Sequence, residues 1–297
     1  MAIEFVHPEF LVTTDWLAQQ LDNPAVCVVD CTTHTLPWPD FSLYDVVSGR
    51  ADFEKAHVPG AIFVDIDHDV SVPHPRLHFT LPPPEKFADA MGRLGIGDET
   101  HVVAYSTANH WWATRLWWML RVFGHDRASV LDGGFQKWQR EGRRVESGPA
   151  RPRAPARFTP RYRPEMIATK EDVLAAIGQR GTCTVNALRR EQHAGSGGVY
   201  YGRRGRITGS VNLPAAEHVG ADNTFKSADE LRSMFSSALA QRQVITYCGG
   251  GIAATSVALV LAMLGYDRVK VYDNSLTEWA ADPSLPMETG ASTGQGV

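Results

Sequence analysis

The feature that most restricts how this chain can fold is an internal repeat. When residues 101–138 are set beside residues 243–279, Thr114 meets Thr255, Gly124 meets Gly265 and Asp126-Arg127 meets Asp267-Arg268. Asp132 likewise meets Asp273, and Trp138 meets Trp279. Each pair lies 141 residues apart (255 minus 114). Upstream the correspondence continues at larger offsets. Val26-Cys27-Val28-Val29-Asp30 resembles Thr182-Cys183-Thr184-Val185-Asn186 at 156 (182 minus 26), and His57-Val58-Pro59-Gly60-Ala61 resembles Arg206-Ile207-Thr208-Gly209-Ser210 at 149 (206 minus 57). A drifting offset is what loop insertions in duplicated domains produce, whereas a solenoid keeps one short period. With 297 residues the chain has room for two such domains.

Both halves alternate β-type runs with helical runs. The first predicts a helix over 13–21 opened by a Thr/Asp cap region, strands over 26–30, 61–64, 101–105 and 128–131, and a helix over 112–123 stopped by Gly124. The second predicts helices over 170–177 and 252–264 and strands over 182–185, 211–213, 244–247 and 269–272. The fold class is therefore α/β: two tandem domains, each a parallel sheet with helices on both faces and ligands beyond the C-terminal strand edges. The expected divisions are a domain over 1–142, a linker over 143–166, a domain over 167–286 and a mobile Gly/Ser/Thr tail over 287–297. The linker holds five prolines and seven arginines against two glutamates, which predicts a stiff extended segment wrapped on a surface.

Bulk properties exclude several classes. A net charge of −4 gives no footprint for nucleic acid or an acidic membrane. The longest apolar run, 257–264, is too short to span a bilayer, and the first residues lack a signal-peptide pattern. The four cysteines show neither a disulfide framework nor metal-ligand spacing, and the Cys27/Cys31 pair reads as reduced strand-end thiols. A soluble, cytoplasmic protein without metal or organic cofactor is expected.

The chemistry concentrates at Cys248. Strand-like Val244-Ile245-Thr246-Tyr247 runs into this cysteine, then Gly249-Gly250-Gly251, then a helical run. That order places a thiol above a helix N-terminus, where backbone N–H groups and the dipole lower a thiol from its usual value of about 8.5. Three chemistries compete with a plain buried cysteine. A dinucleotide site fits Gly249-Gly250-Gly251-Ile252-Ala253-Ala254 with Asp273 at the ribose distance, but too little chain follows Asp273 for the remaining strands. A cysteine phosphatase needs Arg six residues after the cysteine, and that residue is Ala254. Sulfur transfer through a persulfide needs a thiolate and a ring of N–H donors, which closely spaced glycines allow.

The residues carry a resemblance that favours the third. His57-Val58-Pro59-Gly60-Ala61, Leu131-Asp132-Gly133-Gly134-Phe135-Gln136-Lys137-Trp138 and Cys248-Gly249-Gly250-Gly251-Ile252-Ala253 resemble motifs of the tandem rhodanese-type sulfurtransferases, thiosulfate and 3-mercaptopyruvate sulfurtransferases, over roughly residues 9 to 285. The resemblance implies a catalytically silent first domain, with Ser106 near the place of the cysteine, and a catalytic second domain. It implies Cys248 as nucleophile and the backbone of Gly249, Gly250, Gly251, Ile252 and Ala253 as the substrate cradle. Sulfur would pass from thiosulfate or 3-mercaptopyruvate to cyanide, or to a thiol acceptor such as thioredoxin or a small thiol. A non-catalytic sulfur-carrier or partner-binding module of the same fold is the alternative.

The chain departs from the family pattern in specific places. Leu188 stands where an arginine holds the carboxylate of mercaptopyruvate, which leaves Arg189 and Arg204 as candidate anion ligands, with Arg190 and Arg203 behind them. The loop has neither the cations of thiosulfate-using members nor the serine of mercaptopyruvate-using ones. The assisting histidine of the family falls near His78, shifted by one, or His74. Trp111, Trp112, Trp117 and Trp118 are expected in interdomain or core packing, with a cleft-lining role as the other reading.

Overall fold

The computed structural model describes residues 4–290. Strands β1 (Leu11–Val12), β2 (Val26–Asp30), β5 (Ile62–Phe63), β6 (His101–Tyr105) and β7 (Ala128–Leu131) form an all-parallel sheet in the order β1-β7-β6-β2-β5. Strands β8 (Ile167–Ala168), β9 (Thr182–Asn186), β11 (Val211–Asn212), β12 (Gln243–Tyr247) and β13 (Val269–Tyr272) form a second parallel sheet in the order β11-β9-β12-β13-β8. The second order is the first in reverse listing, so the repeat is one topology used twice. Strand β2 is buried along its whole length, as an unbroken apolar run in a sheet covered on both faces should be.

The helices that follow β6 and β12 join the halves. Helix His110–Val122 packs on helix Ala254–Met263, and both are buried nearly all round, so neither shows an amphipathic stripe. At their crossing the hydroxyls of Thr114 and Thr255 lie 2.8 Å apart. These are repeat-equivalent residues. A residue that touches its own counterpart marks a local two-fold relation, as at an isologous dimer interface. One continuous apolar core runs through both halves, and a second fills the other face of the first sheet.

The segment between the halves has little regular structure before residue 164 and is tacked to the first half. The Arg153 guanidinium donates to the carbonyls of Pro24 and Val26, Thr159 bonds to Asp98, and Arg163 forks onto Asp126 at 2.7 Å through each nitrogen. One local expectation needs correction. A mobile tail does not begin at 287, because β14 (Met287–Glu288) pairs antiparallel with β10 (Arg206–Ile207), and Glu288 bonds the buried Arg206 at 2.9 Å. The rest of that tail, from 291, lies outside the described residues. The hairpin of β3 (Thr33–Pro37) and β4 (Tyr44–Ser48) is absent from the sequence reading. It reaches across to the second half, where the Phe41 carbonyl accepts from the Tyr200 N–H at 3.0 Å.

Candidate active site

Strand β12 ends at Tyr247 in the centre of its sheet and delivers Cys248 to the C-terminal edge. The thiol-bearing residue is only 2% exposed and lies at the wall of a cavity of about 430 Å³ between the halves. The loop over 248–253 is fixed from outside. The Cys248 N–H donates to Ser275 Oγ at 3.0 Å, and the Cys248 carbonyl accepts from the Leu276 N–H. The Gly249 carbonyl accepts from the N–H and hydroxyl of Thr277, and the Gly251 carbonyl accepts from Arg115 Nη1 at 3.2 Å. The N–H groups of residues 249–253, by contrast, have no hydrogen-bond acceptor among the described residues. With the carbonyls turned outward, five successive donors at a helix start are left for an anion.

Two glycines are required here by space and by backbone. Gly251 has φ +78, and a Cβ there would stand 2.2 Å from the Asp273 carbonyl oxygen. A Cβ on Gly249 would stand 2.0 Å from the ring of Tyr201. Ser275 has φ +51, a left-handed conformation costly for serine. Its repeat counterpart is Gly134, with φ +58. The second half thus keeps a serine where the first has glycine, and the hydroxyl holds the Cys248 N–H while donating to the Tyr272 carbonyl at 2.7 Å.

Arg115 comes from the first half and is fully buried. Besides the Gly251 carbonyl it holds the Phe79 carbonyl and forms an ion pair with Asp273, whose other oxygen accepts the Leu81 N–H at 3.2 Å. Elsewhere between the same two helices, Ser256 Oγ lies 2.9 Å from His110 Nε2, and it lies 2.8 Å from His218 Nδ1. One hydroxyl bridges two neutral rings. Burial pushes His110 down to about 3, and burial followed by the neighbouring His110 pushes His218 well below the usual value.

The cavity separates the candidate residues of the sequence. Arg189 lines it, and its guanidinium has no ion pair or side-chain hydrogen bond among the described residues. Arg204 does not: its guanidinium stacks 4.5 Å from the ring centroid of Tyr200, outside the lining, so this candidate is corrected. Arg190 is forked onto Glu217, and Arg203 is spent on the carbonyls of Trp279, Ala280, Asp282 and Leu285. Neither expected histidine reaches the cavity. His74 Nδ1 caps a turn by accepting from the N–H groups of Arg76 and Leu77, while His78 pairs with Asp67 at 3.5 Å. Trp117 packs in the core, edge-on to Phe10, with Trp118 buried beside it, but Trp111 and Trp112 line the cavity. Burial raises the other three thiols, Cys27 and Cys183 to about 11 and Cys31 further, which keeps them protonated. The described residues contain no cluster suited to a metal ion.

The sequence did not mark Tyr44, Tyr201, Arg115 or Ser275. The one available signal was three consecutive glycines, which leave space that a bulky group from elsewhere must fill.

Fold and loop together define a two-domain α/β protein with a buried cysteine followed directly by five N–H donors that have no acceptor among the described residues. Residues 13–141 and 171–282 each match the Rhodanese-like domain. The chain is 34% identical over 293 residues to a 3-mercaptopyruvate sulfurtransferase of Escherichia coli, with 94% of this chain and 98% of that protein covered. It is equally 34% identical to the mouse thiosulfate sulfurtransferase, with 96% of each covered. The crystal structure of SseA from Escherichia coli, described among the 3-mercaptopyruvate sulfotransferases, superposes with a TM-score of 0.79 at 32% identity, covering 90% of this chain and 98% of that one. The chain belongs to the rhodanese family, and it is a sulfurtransferase. No described helix is long and apolar enough to cross a membrane.

Proposed function

We propose that Cys248 carries a sulfane sulfur as a persulfide, in ping-pong transfer from 3-mercaptopyruvate to a thiol acceptor, with cyanide as the acceptor in an assay. The observation that carries this reading is the set of five unspent N–H donors over 249–253 directly after a cysteine on a cavity wall. Such donors stabilise both the thiolate and the persulfide anion. The thiolate attacks the donor sulfur, an S–S bond forms and a C–S bond breaks. The acceptor then takes the outer sulfur and returns the thiolate.

The lining favours the keto acid over thiosulfate. The loop itself carries no cation to meet a dianion. Arg189 is the cation the wall presents, beside apolar Leu188 and the rings of Phe41, Tyr44, Trp111 and Trp112. One carboxylate on a small apolar body fits one guanidinium and apolar walls. The first half is silent in this reading, because Ser106 follows β6 where Cys248 follows β12, and its hydroxyl is bonded to the Ala108 N–H at 3.0 Å. Steady-state rates with each donor and cyanide test the assignment. Parallel double-reciprocal lines and a higher kcat/KM for mercaptopyruvate are expected, and preference for thiosulfate refutes the donor choice.

A further inference from the structure

Cleavage of the C–S bond of a mercapto keto acid leaves an enolate, and something must protonate it. The loop has no hydroxyl to do so, and neither His74 nor His78 lines the cavity. One hydroxyl does stand at the right place. Tyr44, in the hairpin that the first half extends over the site, is 7% exposed and lines the same cavity as Cys248. A Cβ built on Gly250 would lie 3.0 Å from the Tyr44 hydroxyl oxygen. The phenol therefore occupies the space a side chain at 250 would enter. It also has no hydrogen-bond partner among the described residues. Tyr201 is differently placed: its ring covers Gly249, and its hydroxyl is shared with Gln192. Behind Tyr44 the ring of His78 lies 5.9 Å away centroid to centroid, paired in turn with Asp67.

We infer that the Tyr44 hydroxyl is the proton donor for the keto-acid half-reaction, supplying from the first half the hydroxyl that the Gly250 loop lacks. The inference rests on 3-mercaptopyruvate being a donor. The step balances without any outside reagent. The Cys248 thiolate attacks the neutral thiol sulfur of the donor, the S–S bond forms, and the C–S pair passes into the enolate. Tyr44 gives its proton to the enolate carbon, which yields pyruvate. The phenolate then takes the proton of the Cys248 hydropersulfide, leaving the persulfide anion and a neutral tyrosine. Burial, together with the nearby Cys248 and Asp67, holds the Tyr44 phenol above its ordinary value, so it enters each cycle protonated.

Thiosulfate supplies the control, because its loading of Cys248 releases sulfite and needs no proton. Tyr44→Phe keeps the ring and its packing. Single-turnover loading, read by intact mass, should fall about 100-fold with mercaptopyruvate and change less than about threefold with thiosulfate. KM for mercaptopyruvate should stay near wild type, and the solvent deuterium isotope effect on its kcat should change. Equal losses with both donors would assign Tyr44 to packing and overturn the inference, as would loading from mercaptopyruvate that Tyr44→Phe leaves intact. Wild-type protein that loads from thiosulfate alone overturns the donor reading, and the Tyr44 assignment with it.

Discussion

Replacing Arg115 by methionine tests whether the first half holds the loop of the second. The guanidinium is fully buried, and Asp273, its partner, is 11% exposed. Its loss strands a nearly buried carboxylate, which costs about 3–5 kcal/mol by itself. The carbonyls of Gly251 and Phe79 lose their donor as well, at about 1 kcal/mol or more each. A total of about 5–7 kcal/mol follows, comparable with the whole stability of many domains. Urea denaturation followed by tryptophan fluorescence measures it well, since Trp118 lies 4.9 Å from the guanidinium carbon. Adding Asp273→Asn removes the stranded charge and still accepts the Leu81 N–H. The double variant should therefore be more stable than Arg115→Met alone. A loss below about 1 kcal/mol for Arg115→Met, or strictly additive costs in the double variant, would refute the clamp.

Three further outcomes follow from the site. Gly249→Ala puts a Cβ into the Tyr201 ring, so the ring must move; kcat should drop about 100-fold with modest loss of stability, and an unchanged kcat contradicts the packing described. Arg189→Gln should raise KM for mercaptopyruvate about tenfold or more and leave loading from inorganic polysulfide unchanged, as measured by donor-dependent kinetics. Acid should weaken the joint between the halves. His110 titrates near 3 folded against 6.5 in the free side chain, so below pH 6.5 the unfolded chain binds the extra proton. Stability is full above about pH 6.5 and falls toward pH 3, by about 3 kcal/mol at pH 4 from His110 alone. Denaturation curves of His110→Asn should show a shallower decline over that range than the wild type.

Some of this was legible along the chain and some was not, for physical reasons. Strands β2, β6, β7 and β12 are buried over nearly their whole length, so they appear as largely apolar runs that no partner is needed to recognise. The Cys248 loop is equally local, since strand, cysteine, glycines and helix are contiguous. Edge strands β1 and β8 are two residues each and leave no pattern. The hairpin Thr33–Pro37 with Tyr44–Ser48 is largely exposed on one arm and carries no alternation that marks it, although it brings Tyr44 to the site. Arg115 sits within a Trp-rich helix whose sequence gives no hint of its contacts. Its partner Asp273 lies 158 residues away and had an apparent meaning as a ribose ligand. The repeat aligned Thr114 with Thr255, but only the fold shows that they touch.

The central claim is that Cys248 becomes a persulfide. Intact mass after incubation with 3-mercaptopyruvate tests it directly. A gain of about 32 Da, one sulfur atom, is expected, absent in Cys248→Ser and lost again on adding cyanide. No gain on folded wild-type protein, or a gain that persists in Cys248→Ser, would contradict it.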